Sequence, residues 1–153
     1  MPATNSRYLI DSNVFIAGTK SGWTRTTDLI VQLLDGPFEL IGDEVLYFEY
    51  DKWAKILGIY DLFNYLARRV IINNPTEGEI SKCAPFFETY MPKPPNLPVV
   101  SNFADMIHAA TCLGTDAILI TNDRHFDKIK TVKLIEVWSI PEAISMLSPP
   151  INP

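Results

Sequence analysis

Soft-metal ligands and membrane-length apolar segments are both scarce in this sequence. Only two cysteines occur, Cys83 and Cys112, and neither belongs to a CxxC pair. That excludes a disulfide framework and leaves no zinc motif, so each thiol reads as a small apolar residue. With only two histidines, His108 and His125, any metal site must be built mainly from oxygen. Oxygen donors point to magnesium or manganese rather than zinc. Uninterrupted apolar runs are about as short as residues 117–120, far below the roughly 20 residues of a membrane helix. The polar first seven residues hold no secretory core, so the expected compartment is the cytoplasm and no membrane partner is expected. Basic excess is missing too. Thirteen Lys and Arg stand against eighteen Asp and Glu, a net charge of −5, which argues against a simple nucleic-acid coat protein. Residues 94–123 carry no Lys or Arg at all, whereas Arg124, Lys128, Lys130 and Lys133 follow closely.

What is present suits one domain with an ordinary core. We expect a single domain over residues 1–153, with its core at about 7–140 and a Pro-rich tail at about 148–153. Short apolar runs at residues 8–10, 38–41, 117–120 and 134–137 read as strands. Helical spacing covers residues 26–34, 43–57, 61–71, 102–113 and 142–147. Residues 11–13 read as a polar turn. The Pro-broken stretch 73–98 holds one short helix near Glu79 and a loop over 91–98. Strands alternating with helices predict an α/β fold, a three-layer α/β/α sandwich around a mainly parallel sheet.

In such sheets ligands bind at the carboxyl ends of strands. Asp11 follows one apolar run directly and Asp123 follows another at three residues' distance. Either alone fits turn or cap chemistry; if the two strands are neighbours, the carboxylates converge. Asp105 interrupts a helix that is apolar nearly all round and therefore buried. It reads either as an N3 acid favoured by the helix dipole or as a carboxylate that needs a cation. His108, one turn on, reads as a hydrogen-bonded structural residue. In the helix from Asp43, whose N-cap is Asp43 itself, Val45, Leu46, Trp53 and Ile56 form the apolar stripe, with Glu49 in its middle and Glu44 on the solvated side. Glu49 is either half of a buried salt bridge, to Arg25 or another basic residue, or a functional acid.

Four clustered acids repel one another unless cations neutralise them. Two hard divalent ions about 3.5–4 Å apart suit phosphodiester hydrolysis. Asn13 and Thr121 are candidates to orient the carboxylates or bound water, and Arg124 is the best placed cation for a phosphate backbone. No GxxxxGK[ST] loop occurs, so use of a nucleoside triphosphate is not indicated. An aspartyl phosphoryl-transfer domain is disfavoured as well. Asn13 stands where a second Asp is wanted, and no Lys occurs in residues 94–123.

At these positions the sequence resembles the PIN domain family. The resemblance is carried by residues 8–16 (YLIDSNVFI), 45–50 (VLYFEY), 102–110 (NFADMIHAA) and 118–126 (ILITNDRHF). It implies a magnesium- or manganese-dependent endoribonuclease acting on single-stranded RNA. Asp11, Glu49, Asp105 and Asp123 would serve as the catalytic, metal-binding acids, with Asn13 and Thr121 in support. It further implies the toxin branch of the family, an antitoxin protein as partner, and homodimerisation. His125 stands where many members have an acid, and Asp127 is not aligned to replace it. The alternative within the same fold is a non-catalytic module that binds nucleic acid or protein.

Overall fold

The computed structural model describes residues 6–20, 22–90, 98–100 and 102–147. The expected loop lies outside these residues except for Pro98, and the expected Pro-rich tail lies wholly outside them. Five parallel strands form the central sheet: β1 (Arg7–Ile10), β2 (Glu39–Gly42), β3 (Val70–Ile72), β6 (Ile118–Ile120) and β7 (Val137–Trp138), in the order β3-β2-β1-β6-β7. Tyr8, Leu9 and Ile10 are all essentially buried. Successive strand residues point to opposite faces, so both faces of β1 are covered, as helices on both sides of a parallel sheet require. The core continues through Leu40, Leu46, Leu119, Ile120 and Phe126. Each such fully buried side chain contributes about 1.5–3 kcal/mol of transfer free energy, opposed by chain entropy.

Helices α1 (Ser12–Thr19) and α2 (Arg25–Asp35) link β1 to β2. The first corrects the expected turn, because Ser12 and Asn13 open a helix. Residues that favour turns also favour helix starts, so the two readings share one signature. Thr24 begins α2 with a reciprocal capping box to Thr27. Helix α3 (Glu44–Leu57) starts at Asp43, whose side chain accepts the Leu46 N–H at 2.7 Å, and stops at Gly58, which adopts a left-handed φ of 68°. Its buried face is Leu46, Tyr50 and Ala54, turned from the expected stripe. Ile56 is 60% exposed, and Glu49 borders the buried face rather than sitting in its middle. Glu44 is exposed as expected.

Helix α4 (Tyr60–Arg69) ends two residues early because Val70, Ile71 and Ile72 pair with β2. β-branched side chains suit that extended edge better than a helix end. Helix α5 (Glu77–Cys83) is the short helix expected near Glu79, capped by a Thr76–Glu79 box. An unexpected antiparallel pair, β4 (Glu88–Tyr90) and β5 (Pro98–Val100), follows it. Helix α6 (Phe103–Thr115) runs through Gly114, where a Cβ would stand 2.3 Å from the Glu79 carboxylate. There the glycine permits the close approach of α5 to α6 instead of ending the helix. The last strand is shifted to β7, and α7 (Asp127–Thr131) and α8 (Ile140–Leu147) complete the elements. Both cysteines are buried, and burial pushes the Cys83 thiol up to about 11. They behave as the small apolar residues expected. No described helix is long and apolar enough to cross a membrane.

Candidate metal centre

The chain runs outward from β1 to β2 and β3, then crosses back to place β6 on the other side of β1. That reversal opens a crevice at the carboxyl ends of β1 and β6. Ile10 lies directly across from Ile120, so Asp11 and Thr121 leave the sheet side by side. The Asp11 N–H donates to the Ile120 carbonyl at 2.9 Å. The condition set by the sequence, that the two strands be neighbours, is met.

Asp11 occupies the N-cap position of α1, yet its side chain makes no capping bond. Instead Oδ2 accepts the Thr121 hydroxyl at 2.8 Å and the Asn13 amide at 3.3 Å. Thr121 Oγ1 accepts in turn from the Asp123 N–H at 3.1 Å, and Asn13 Oδ1 accepts the Asn122 N–H at 3.0 Å. Asn13 and Thr121 thus bind the two strand ends together around Asp11. Burial pushes the Asp11 carboxyl up to about 6, with Asp105 and Glu49 adding like-charge repulsion; His108 and the Thr121 bond oppose the rise.

His108 is fully buried between two acids. Its Nδ1 lies 3.0 Å from Asp43 Oδ2 and its Nε2 lies 2.7 Å from Glu49 Oε2. Ionised carboxylates only accept, so two such partners call for a proton on each ring nitrogen. Burial alone would pull the imidazole down, but these two bonds outweigh it and raise it to about 10. Asp43 gains a further bond at 2.8 Å from the Thr111 hydroxyl. Burial opposes its ionisation, yet the His108, Leu46 and Thr111 bonds hold it below its ordinary value. The partner of Glu49 is therefore His108 rather than Arg25. Asp43, read from the sequence only as a cap, also has a second, buried role. One carboxylate oxygen caps α3 and the other holds the histidine; nothing in the spacing signals the second.

Asp105 projects from the first turn of α6, and Asn102 before it makes no side-chain cap. Its Oδ2 lies 3.0 Å from His125 Nδ1, which is also 2.9 Å from Asp123 Oδ2. Burial raises the Asp105 carboxyl and the neighbouring Asp123 adds to this, while His125 opposes it. The bonds to Asp105 and Asp123 raise the exposed His125 imidazole. Asp123 does serve its turn, since Oδ1 accepts the His125 N–H at 2.9 Å, but its other oxygen faces the cluster. The sequence offered one signal for His125, its position two residues beyond Asp123 on the same turn. Arg124 is exposed beside them and lines a cavity of about 240 Å³ with Thr121, Asn122, Asp123 and Lys130. Asp127 is exposed and lines the same cavity. Trp23, 71% exposed, donates its indole N–H to Asp28 at 2.6 Å.

The four acids thus fall into two sets, each completed by a histidine: Asp11, Glu49 and His108, and Asp105, Asp123 and His125. Within each set the donor atoms lie within 4.8 Å of one another. Oxygen dominates the donors, and burial raises the Asp11 carboxyl despite the nearby His108 charge. That donor chemistry fits a hard divalent cation.

The sequence model of the PIN domain matches residues 8–132. The chain belongs to the PIN domain family. Two solved structures share the fold of this PIN domain. One is VapBC-1 from nontypeable Haemophilus influenzae, with a TM-score of 0.59, 22% identity, and coverage of 88% of this chain and 98% of that one. The other is VapBC2 from Rickettsia felis bound to a DNA fragment from their promoter, with a TM-score of 0.57, 12% identity, and coverage of 87% and 98%. Among curated proteins there is no match to this PIN domain.

Proposed function

We propose that this PIN domain is a magnesium- or manganese-dependent endoribonuclease that cleaves single-stranded RNA in the cytoplasm. We further propose that it is the toxin component of a toxin–antitoxin pair. The observation that carries the first reading is the gathering of four acids far apart in sequence into two sets, Asp11 with Glu49 and Asp105 with Asp123, near enough for Asp105 to repel the Asp11 charge. Membership of the PIN domain family supports it. Likeness in fold to two VapBC assemblies supports the second, with an antitoxin protein as partner.

In this reading the four acids would hold the divalent ions. Ions held there would supply polarisation of the scissile phosphate and a lowered pKa for an attacking water. The protein's own groups supply the order. Thr121 and Asn13 fix the Asp11 carboxylate, and His108, backed by Asp43, fixes Glu49. His125 spaces Asp105 from Asp123. Arg124, exposed at the rim, takes a backbone phosphate of the RNA.

The test is cleavage of mixed single-stranded RNA by purified protein with manganese, with magnesium and with chelator, beside Asp105→Asn. Metal-dependent cutting that the variant lacks is the expected result. No cutting under any condition, together with no metal-induced thermal shift, would sink the nuclease and favour a non-catalytic PIN-fold binding module.

A further inference from the structure

We propose that His125, together with Asp105 and Asp123, makes one half of the acidic edge a mixed nitrogen–oxygen site that selects manganese over magnesium. This rests on the reading of the edge as a metal centre and names the ion that the centre prefers.

The geometry of the three donors carries the inference. His125 Nδ1 stands 3.0 Å from Asp105 Oδ2 and 2.9 Å from Asp123 Oδ2. Adjacent ligands on an octahedral ion with bonds of about 2.1 Å also stand about 3 Å apart. A cation can therefore replace the shared Nδ1 proton with little movement of the three side chains. That proton leaves to solvent and Nε2 keeps its own. The imidazole is also held in place. Asp123 Oδ1 accepts the His125 backbone N–H at 2.9 Å, and the next residue, Phe126, is fully buried with its ring 5.7 Å from that of Phe87. A turn anchored on both sides presents Nδ1 to the acids.

The other histidine is unsuited to the same task. His108 has both ring nitrogens engaged by carboxylates and is fully buried, whereas His125 is half exposed. The ion preference follows from the nitrogen donor. Magnesium demands oxygen and dehydrates reluctantly, while first-row transition ions accept imidazole readily.

Calorimetric titration of the metal-free protein with manganese chloride and with magnesium chloride tests the proposal, using wild type, His125→Ala and His125→Asp. Wild type is expected to bind manganese at least about tenfold more tightly than magnesium. His125→Ala should lose roughly tenfold in manganese affinity and little in magnesium affinity. His125→Asp, an all-oxygen site, should narrow the preference to within about threefold. Electron spin-echo spectra of the manganese-loaded protein should carry a directly bound ¹⁴N signal that His125→Ala removes. Equal affinities in wild type, tighter binding of both ions by His125→Ala, no lost ¹⁴N signal, or no binding of either ion each overturns the proposal. RNA cleavage run in parallel keeps the two readings apart. Equal cutting with both ions, unchanged in His125→Ala, leaves the nuclease and removes the selectivity. Manganese preference without cutting does the reverse.

Discussion

Two histidines of the same chemistry each complete one of the two sets of acids in this molecule and live under different rules. His108 is fully buried, clamped by Asp43 and Glu49, and Asp43 is in turn held by Thr111 and the first turn of α3. His125 is half exposed on a short turn and touches only the acids of the site through Nδ1. A buried charge is expensive to orphan, so the first set belongs to the fold as much as to the site. An exposed pair is worth little to stability, so the second set is free to be tuned for ligands.

That comparison breaks first at Asp43. Asn caps a helix as well as Asp does, so Asp43→Asn keeps the cap but puts an uncharged amide donor where Oδ2 now accepts from His108 and Thr111. We expect a loss of about 3–5 kcal/mol in urea denaturation at pH 6. The pH dependence has two limits. The His108 contribution is full below its ordinary 6.5 and disappears as pH rises through about 10. The Asp43 contribution is present above its ordinary 3.8 and disappears as pH falls through its depressed value. The gap between wild type and variant is thus widest from about pH 4 to 6.5 and closes on either side.

Asp11 should move the other way. Its carboxyl is raised from 3.8 to about 6, chiefly by burial, so its charge opposes folding. Asp11→Asn is expected to stabilise the metal-free protein by up to about 3 kcal/mol at pH 8. The gain is absent below 3.8, builds as pH rises from 3.8 to about 6 and is full above that, which thermal melts across pH will register. The same substitution should remove the stabilisation that divalent ions give wild type, about 2.7 kcal/mol at one hundred times the dissociation constant. Thr111→Val deletes one buried bond to Asp43 and should cost about 1 kcal/mol. His125→Ala should leave the metal-free protein within about 0.5 kcal/mol of wild type. A loss comparable to that of Asp43→Asn would erase the distinction between the two histidines.

The same contrast marks how far the sequence can be read. The buried runs at residues 8–10 and 117–120 read as strands, and the helices between strands imply a parallel sheet, but that these two strands are neighbours is decided only by the crossover. Asp105 stood out because it interrupts an apolar helix, and His108 because a histidine on that helix needs partners. The start of α1 was hidden because Asp-Ser-Asn chemistry suits a turn and a helix cap alike. Strand β3 was hidden because three β-branched residues follow a helical pattern without a break, and only the neighbouring β2 edge decides their conformation. The second role of Asp43 was invisible for a geometric reason. A carboxylate has two oxygens, and only the capping one leaves a local signature. The pairing of His125 with Asp105 depends on contact across 20 residues, which no local pattern encodes.

The crossing that puts β6 beside β1 also sets when the site can exist. Residues 105 and 123 leave the ribosome 56 and 74 residues after residue 49, and β6, which pairs with β1, lies between them. At ordinary synthesis rates of about 5–20 residues per second, the first two carboxylates wait several seconds for the others. A chain stalled before residue 123 therefore lacks the complete set of acids. Under the nuclease proposal, activity would arrive only once β6 has closed onto β1.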